Sequence, residues 1–123
     1  MLYGYINNNE YLDMAKRAAE RFTRISEILN GEDGGGDLIG FKGILARWLG
    51  KLVRGTGITD YNVWTQNNAH AAWINRNSDN LMWTKFGTKT EDNLENSDNN
   101  DKRYETAWGC SSALSWLINL AAL

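Results

Sequence analysis

A glycine-rich stretch with one carboxylate and one lysine, GGGDLIGFKGI from Gly34 to Ile44, is the part of the sequence best suited to binding chemistry. Asp37 can accept hydrogen bonds, Lys42 can donate them, and Phe41 offers an aromatic face. Two interpretations stay open: a flexible connector leading into a helix, or a cleft loop that binds the hydroxyls of a sugar. The stretch is not a phosphate loop, because it has no Gly-Lys-Ser/Thr, no GxGxxG and no preceding strand.

Lys42 lies on the apolar arc of the helix that is predicted to begin near Gly40. The opposite side of that helix is a solvated basic stripe, formed by Arg47, Lys51 and Arg54. The first turn of a helix is also the wrong end of its dipole for a cation. This position predicts that Lys42 meets a partner, of which Asp37 is the nearest candidate; the alternative is that its side chain snorkels to water.

The remaining titratable residues give no catalytic or metal site. The adjacent acid pairs Glu32-Asp33 and Glu91-Asp92 lie in polar loops without apolar neighbours to raise a pKa, so we predict that both are solvated. His70 is the only histidine and has no ligand at metal-binding spacing, which predicts a structural role, and Cys110 is predicted to be a small hydrophobe. No cofactor is expected.

Six tryptophans and no proline stand out in the composition. Trp48, Trp73 and Trp116 fall on helix interiors and are predicted to be core. Trp83 has two interpretations: a core plug after the third helix, or a ring that stacks on a sugar face. Trp64 and Trp108 are not placed by the pattern.

Apolar periodicity predicts an all-α fold with four helices, at 10–29, 40–54, 59–77 and 107–123. The first helix has one apolar stripe, with charged i,i+4 pairs on its wetter side. The stripe consists of Tyr11, Met14, Ala18, Phe22, Ile25 and Leu29. In the second helix, Gly43, Ala46 and Gly50 form a small-residue stripe suited to close helix contact. The polar segment from Thr84 to Arg103 is predicted to be a long surface loop.

Length and charge limit the function classes. The 123 residues suit one small domain, and a net charge of −2 argues against a broad nucleic-acid surface. The sequence has no run of about 20 apolar residues, so no membrane span is predicted. The second and fourth helices are apolar nearly all round, so we expect them to be buried on most sides. Four helices offer few partners for this, and we therefore expect residues 1–123 to be the C-terminal part of a larger helical domain.

The order of these segments resembles the C-terminal part of glycoside hydrolase family 76, the endo-α-1,6-mannanases. The resemblance runs through EYLDMAKRAAE, the glycine-rich loop, FKGILARWL, NAHAAWINRN, a tryptophan at position 83 and SSALSWLINLAAL. Its most specific element is the set Asp37, Phe41, Lys42, Gly43, Ile44 and Arg47. The resemblance implies helical hairpins that form part of an (α/α)6 barrel, and retaining hydrolysis of α-mannan by two adjacent aspartates.

No Asp-Asp pair occurs in this chain, so the resemblance implies that the catalytic carboxylates and the N-terminal part of the barrel are missing. It assigns substrate binding or cleft shape to Asp37, Phe41, Lys42, Arg47 and Trp83. Arg47 has the alternative role of holding a neighbouring hairpin. A secreted or cell-surface location follows from the resemblance only.

Two other functions stay open. One is a stand-alone, non-catalytic helical module that binds a glycan or another partner. The other is a different hydrolase or lyase of the same barrel architecture, because a fold alone does not fix a function.

Overall fold

The computed structural model describes residues 9–32, 40–92 and 107–120. These residues form four helices and no strand: α1 (Asn9–Ile25), α2 (Phe41–Thr56), α3 (Asn62–Ile74) and α4 (Ala107–Leu120). The prediction of an all-α fold is confirmed. None of these four helices combines the length and the apolar character needed to cross a bilayer.

The helix boundaries differ from the predicted ones where side chains or glycine compete with the helix. α1 ends at Ile25 instead of continuing to residue 29, because the following residues bond to side chains of α3. α2 continues through Gly55 to Thr56. Gly57 follows with a left-handed φ of 71°, and its N–H donates to Val53 O at 2.8 Å. α3 begins at Asn62, three residues later than predicted, and no side chain caps its start.

α2 and α4 pack closely through the small-residue stripe of α2, as predicted. Ala46 is fully buried, and the Gly43 N–H donates to Ser112 Oγ at 2.8 Å. A Cβ added at Gly43 would lie 3.1 Å from Ser112 Cα, and one at Gly50 would lie 3.1 Å from Asn119 O. The two backbones therefore approach to a distance that only side chains of this size allow.

Trp116 is the centre of the core, which confirms its prediction. Its ring is fully buried and makes edge-to-face contacts with Trp64 and Phe86, at centroid distances of 5.7 and 5.8 Å. Its indole Nε1–H donates to Thr65 O at 3.1 Å, so the one polar atom of the ring is satisfied. The contact joins α4 to α3 and to the segment that follows α3.

The expectation that α2 and α4 are buried on most sides is wrong. Each helix has one buried face and one face on which large apolar side chains are 46–71% exposed; these are Phe41, Ile44 and Trp48 on α2, and Leu114 and Ile118 on α4. The core predictions for Trp48 and Trp73 are also wrong, since each is 46% exposed. A helical wheel shows how apolar a face is, and it does not show whether another element covers that face.

α1 buries the edge of its apolar surface that carries the smaller side chains. Leu12, Ala15 and Ala19 face the core. The larger stripe that the sequence pattern identifies is instead exposed at all of its helical positions: Tyr11, Met14, Ala18, Phe22 and Ile25. The helix was predicted correctly, and its buried face was not.

The segment from Asn75 to Asp92 is folded onto the core, which contradicts the predicted surface loop over its first part. Met82, Thr84, Phe86 and Thr90 are all buried. Asn77 organises the turn: its Oδ1 accepts from the N–H groups of Asp79 and Leu81, and its Nδ2 donates to Glu91 O. Residues 93–103 of the predicted loop lie outside the described residues.

Replacing Gly43 by alanine tests the close contact between α2 and α4. In an open helix this change adds up to about 1 kcal/mol of stability, but here the new Cβ meets backbone, so we expect Gly43→Ala to lower the free energy of unfolding by about 1–2 kcal/mol. Gly55→Ala is the matched control, because nothing lies within 4 Å of a Cβ there. Urea unfolding of both variants measures the difference; equal stabilisation by the two changes would contradict the close packing.

Candidate functional site

Lys42 is buried in the first turn of α2. Its side chain is 3% exposed, so it does not snorkel to water. Its ammonium group donates to the backbone oxygen of Thr84 and lies 5.2 Å from the ring centroid of Phe86. The prediction that this lysine meets a partner is confirmed, and the contact ties the start of α2 to the segment after α3.

Glu32 provides the carboxylate next to this cation. Its Oε1 accepts from the backbone N–H of Lys42 at 2.8 Å, and its Oε2 lies 3.8 Å from Lys42 Nζ. One side chain therefore serves both the free amide at the helix start and the buried ammonium group. The prediction that Glu32 is solvated is wrong, since its side chain is 15% exposed. Asp33 lies outside the described residues, and so does Asp37, which was the expected partner of Lys42.

Burial raises the pKa of the Glu32 carboxyl, and the positive charge of Lys42 offsets this rise only in part. Oε2 is buried, and no donor within the described part of the chain lies at hydrogen-bond distance from it. Desolvation therefore outweighs the attraction of the ion pair at this carboxyl.

Two side chains of α3 hold the segment that carries Glu32. The Asn68 amide is fully buried; its Oδ1 accepts from Leu29 N–H at 2.8 Å, and its Nδ2 donates to Glu27 O and Trp64 O. Trp64 Nε1–H donates to Ser26 O at 2.9 Å. Neither residue was predicted from the sequence to have this role. The signal available in the sequence was an asparagine followed closely by three small apolar residues, Ala69, Ala71 and Ala72, all of which the structure buries.

A groove of about 590 Å³ lies between the C-terminal part of α1 and the start of α2, with Glu32 and Lys42 at its floor. Its walls are mainly large apolar side chains: Phe22, Ile25, Leu29, Phe41, Ile44, Leu45 and Trp48. Phe41 is about half exposed, so its ring is available to a ligand. Phe41 and Lys42, which are adjacent in the sequence, both line this groove.

Arg47 lies elsewhere. It lines a second cavity of about 370 Å³ between α2 and α4, together with hydroxyl and amide groups of Ser111, Ser112, Ser115 and Asn119. Its guanidinium carbon is 6.0 Å from the Trp48 ring centroid. The structure therefore separates Arg47 from Phe41 and Lys42.

Trp83 lines neither cavity. It is half-buried, its backbone N–H donates to Thr90 Oγ1 at 3.1 Å, and Lys85 Nζ lies 6.0 Å from its ring centroid. The next residue in the chain, Thr84, supplies the backbone oxygen that accepts from Lys42.

The second acid pair is exposed, as predicted. Glu91 and Asp92 lie at the surface, and the backbone N–H of Ser78, 2.5 Å from Asp92 Oδ1, lowers the pKa of that carboxyl. Within residues 9–32, 40–92 and 107–120, no three His, Cys, Asp or Glu side chains form a metal-binding group.

Comparisons of the chain with models of known protein families, with curated proteins and with solved structures found no match.

Replacing Glu32 by glutamine tests the raised pKa of its carboxyl. A folded-state pKa above the unfolded one favours the protonated form, so the contribution of Glu32 to stability is fully present below the unfolded pKa and is lost as pH rises through the folded pKa. We expect the stability of the wild type relative to Glu32→Gln to fall as pH rises from the unfolded pKa of about 4.3 through the higher folded pKa. Urea unfolding across that range measures it. Glu27→Gln, at an exposed carboxyl, is the control, and a rising difference would contradict the assignment.

Removing the Asn68 amide tests how the Glu32 segment is held. Asn68→Ala leaves the Leu29 N–H and the Glu27 O, both in partly buried hydrogen bonds, without the side-chain amide that bonds them, so we expect a loss of about 3 kcal/mol in the free energy of unfolding. Asn67→Ala is the matched control, because Asn67 is exposed on the same helix. Similar losses for both variants would show that Asn68 has no special role.

Proposed function

We propose that this chain is the glycan-contacting C-terminal part of a glycoside hydrolase similar to the family 76 α-1,6-mannanases. The observation that carries the proposal is the buried Lys42, held beside an exposed aromatic ring at the start of α2. Both residues belong to the most specific element of the resemblance. The substrate would be α-mannan or a related glycan.

In this proposal Lys42 shapes the site and Phe41 contacts the sugar. The ammonium of Lys42 is already engaged with Thr84 O and lies near Glu32, so it braces the floor of the groove. Phe41 presents its ring on the wall of that groove, where it can pack on the C–H face of a pyranose. Asp37 would accept hydrogen bonds from sugar hydroxyls, as the resemblance implies.

Trp83 and Arg47 have supporting roles in the same proposal. The half-buried Trp83 adjoins the residue that accepts from Lys42, so it would brace the loop or contact the sugar from that side. Arg47 lies between α2 and α4, which suits the role of holding a neighbouring hairpin.

The complete enzyme would be an (α/α)6 barrel that acts by a retaining mechanism. Its two catalytic aspartates and the N-terminal hairpins would come from a part of the barrel that these residues do not include. The outer faces of α3 and α4 expose Val63, Leu114 and Ile118, which would be covered by further hairpins. A secreted or cell-surface location belongs to the same proposal.

Binding of an α-1,6-linked mannooligosaccharide by the 123-residue chain tests this proposal. We expect weak, saturable binding that tryptophan fluorescence or NMR shifts detect, and about a tenfold loss in Phe41→Ala, because a stacked ring supplies much of the contact with a sugar. Trp73→Ala is the matched control, since Trp73 is similarly exposed and lies away from the groove. We expect no hydrolysis by this chain. Mannan cleavage by the pure protein, or no binding up to the solubility limit of the sugar, would overturn the proposal.

A second candidate is a stand-alone, non-catalytic helical module. The observation that favours it is the self-contained core around Trp116, which joins α3, α4 and the segment after α3. Cooperative unfolding of the isolated chain would support the module. A molten state that binds hydrophobic dyes would instead support the proposal that the chain is part of a larger barrel.

A further inference from the structure

The exposed stripe of α1 is symmetric about its central residue. Tyr11, Met14, Ala18, Phe22 and Ile25 stand at −7, −4, 0, +4 and +7 relative to Ala18. On a helix these five positions fall within about 40° of one line and extend over about 21 Å. A stripe with this spacing is self-complementary when a second copy of the helix runs antiparallel to it.

Antiparallel pairing about Ala18 places unlike apolar side chains together and leaves space at the centre. Tyr11 then faces Ile25 of the second copy, Met14 faces Phe22, and Ala18 faces Ala18. A small residue at the crossing point allows two helix axes to approach closely, and larger residues fill the space on each side. A two-fold interface of this kind uses the same surface on both copies.

The groove beside α1 can accommodate the α1 helix of a second copy. A hollow of about 270 Å³, floored by Ala15, Ala18 and Ala19, continues into the groove of about 590 Å³; Phe22, Leu45 and Trp48 line both. The exposed rings and side chains of α2 form the far wall of this space. An α1 helix placed there would contact α1 and α2 of the first copy, so the interface would contain four helices.

The charges of α1 suit the antiparallel direction. Glu10 and Asp13 lie in its N-terminal part, and Arg21 and Arg24 lie in its C-terminal part, all exposed on one flank of the stripe. Antiparallel pairing puts the acidic end of each helix beside the basic end of the other, twice by symmetry. Parallel pairing would put like charges together at both ends. The two copies of Arg17 come near the centre, where they are exposed and screened by solvent.

We propose that two copies of this chain associate through α1, with each α1 running antiparallel to the other and seated between α1 and α2 of its partner copy. The apolar stripe supplies the contact, and the charged ends set the direction. This inference does not rest on the proposed glycan function. The second copy would occupy the groove that the sugar would use, so dimer formation and glycan binding would exclude each other.

Sedimentation equilibrium and light scattering on the 123-residue chain test the association. We expect a dimer that Phe22→Glu converts to a monomer, with the dissociation constant raised at least about tenfold. Val63→Glu is the control: it places the same charge at an apolar helical position outside the stripe, 70% exposed against 40% for Phe22, and it should leave the dimer intact. Circular dichroism verifies that both variants keep their helices.

A charge reversal tests the direction of pairing. Glu10→Lys and Arg24→Glu should each weaken their own dimer, because each creates like charges at both ends. An equimolar mixture of the two variants should recover a dimer as the mixed species, in which opposite charges meet again. Recovery in the mixture supports the antiparallel arrangement, and no recovery contradicts it.

Cysteine cross-linking gives a readout that does not depend on affinity. In a Cys110→Ser background, Ala18→Cys should form a disulfide-linked dimer, since the two copies of position 18 meet. Tyr11→Cys should cross-link only when mixed with Ile25→Cys. A monomer at every concentration, an assembly that Phe22→Glu does not change, or self-linking of Tyr11→Cys would each overturn the proposal. A monomeric result would leave the glycan proposal to its own binding experiment.

Discussion

A buried ammonium group sets the local structure on three sides. Lys42 has no access to water, so its charge must be met within the protein. Thr84 O meets it from the segment after α3, the Phe86 ring lies beside it, and Glu32 faces it from the segment after α1. Each of these elements has to be in place before the lysine can be buried, and α3 fixes the Glu32 segment through Asn68.

The rest of the core is arranged so that this cluster can form. The small residues of α2 let α4 approach, and this approach puts Trp116 against Thr65 and Phe86. Phe86 then brings the segment after α3 to the start of α2, where Thr84 O accepts from Lys42. Close helix packing and the buried charge are therefore two parts of one arrangement.

Two features of α2 were predicted from the pattern of that helix alone. The burial of Lys42 and the close contact at Gly43 follow from positions on the wheel of α2, because both are properties of a single periodic face. The partner of Lys42 could not be found this way. Glu32 lies ten residues earlier, in a segment without periodicity, and its place depends on a bond to Asn68 that spans 39 residues. The buried face of α1 was missed for a related reason: both edges of the helix are apolar, and only packing decides between them. Whether Asp37, Arg47 and Trp83 contact a glycan is still a prediction.

The turn organised by Asn77 also affects how the protein ages chemically. An asparagine deamidates when the backbone nitrogen of the next residue attacks its side-chain amide carbon, which closes a succinimide ring and releases ammonia. Here that nitrogen, of Ser78, donates its hydrogen to Asp92, and both ends of the Asn77 amide are held by backbone groups. The folded chain thus keeps the Asn77 amide out of the geometry for ring closure. The extent of deamidation at Asn77 therefore reports how long the chain has been unfolded.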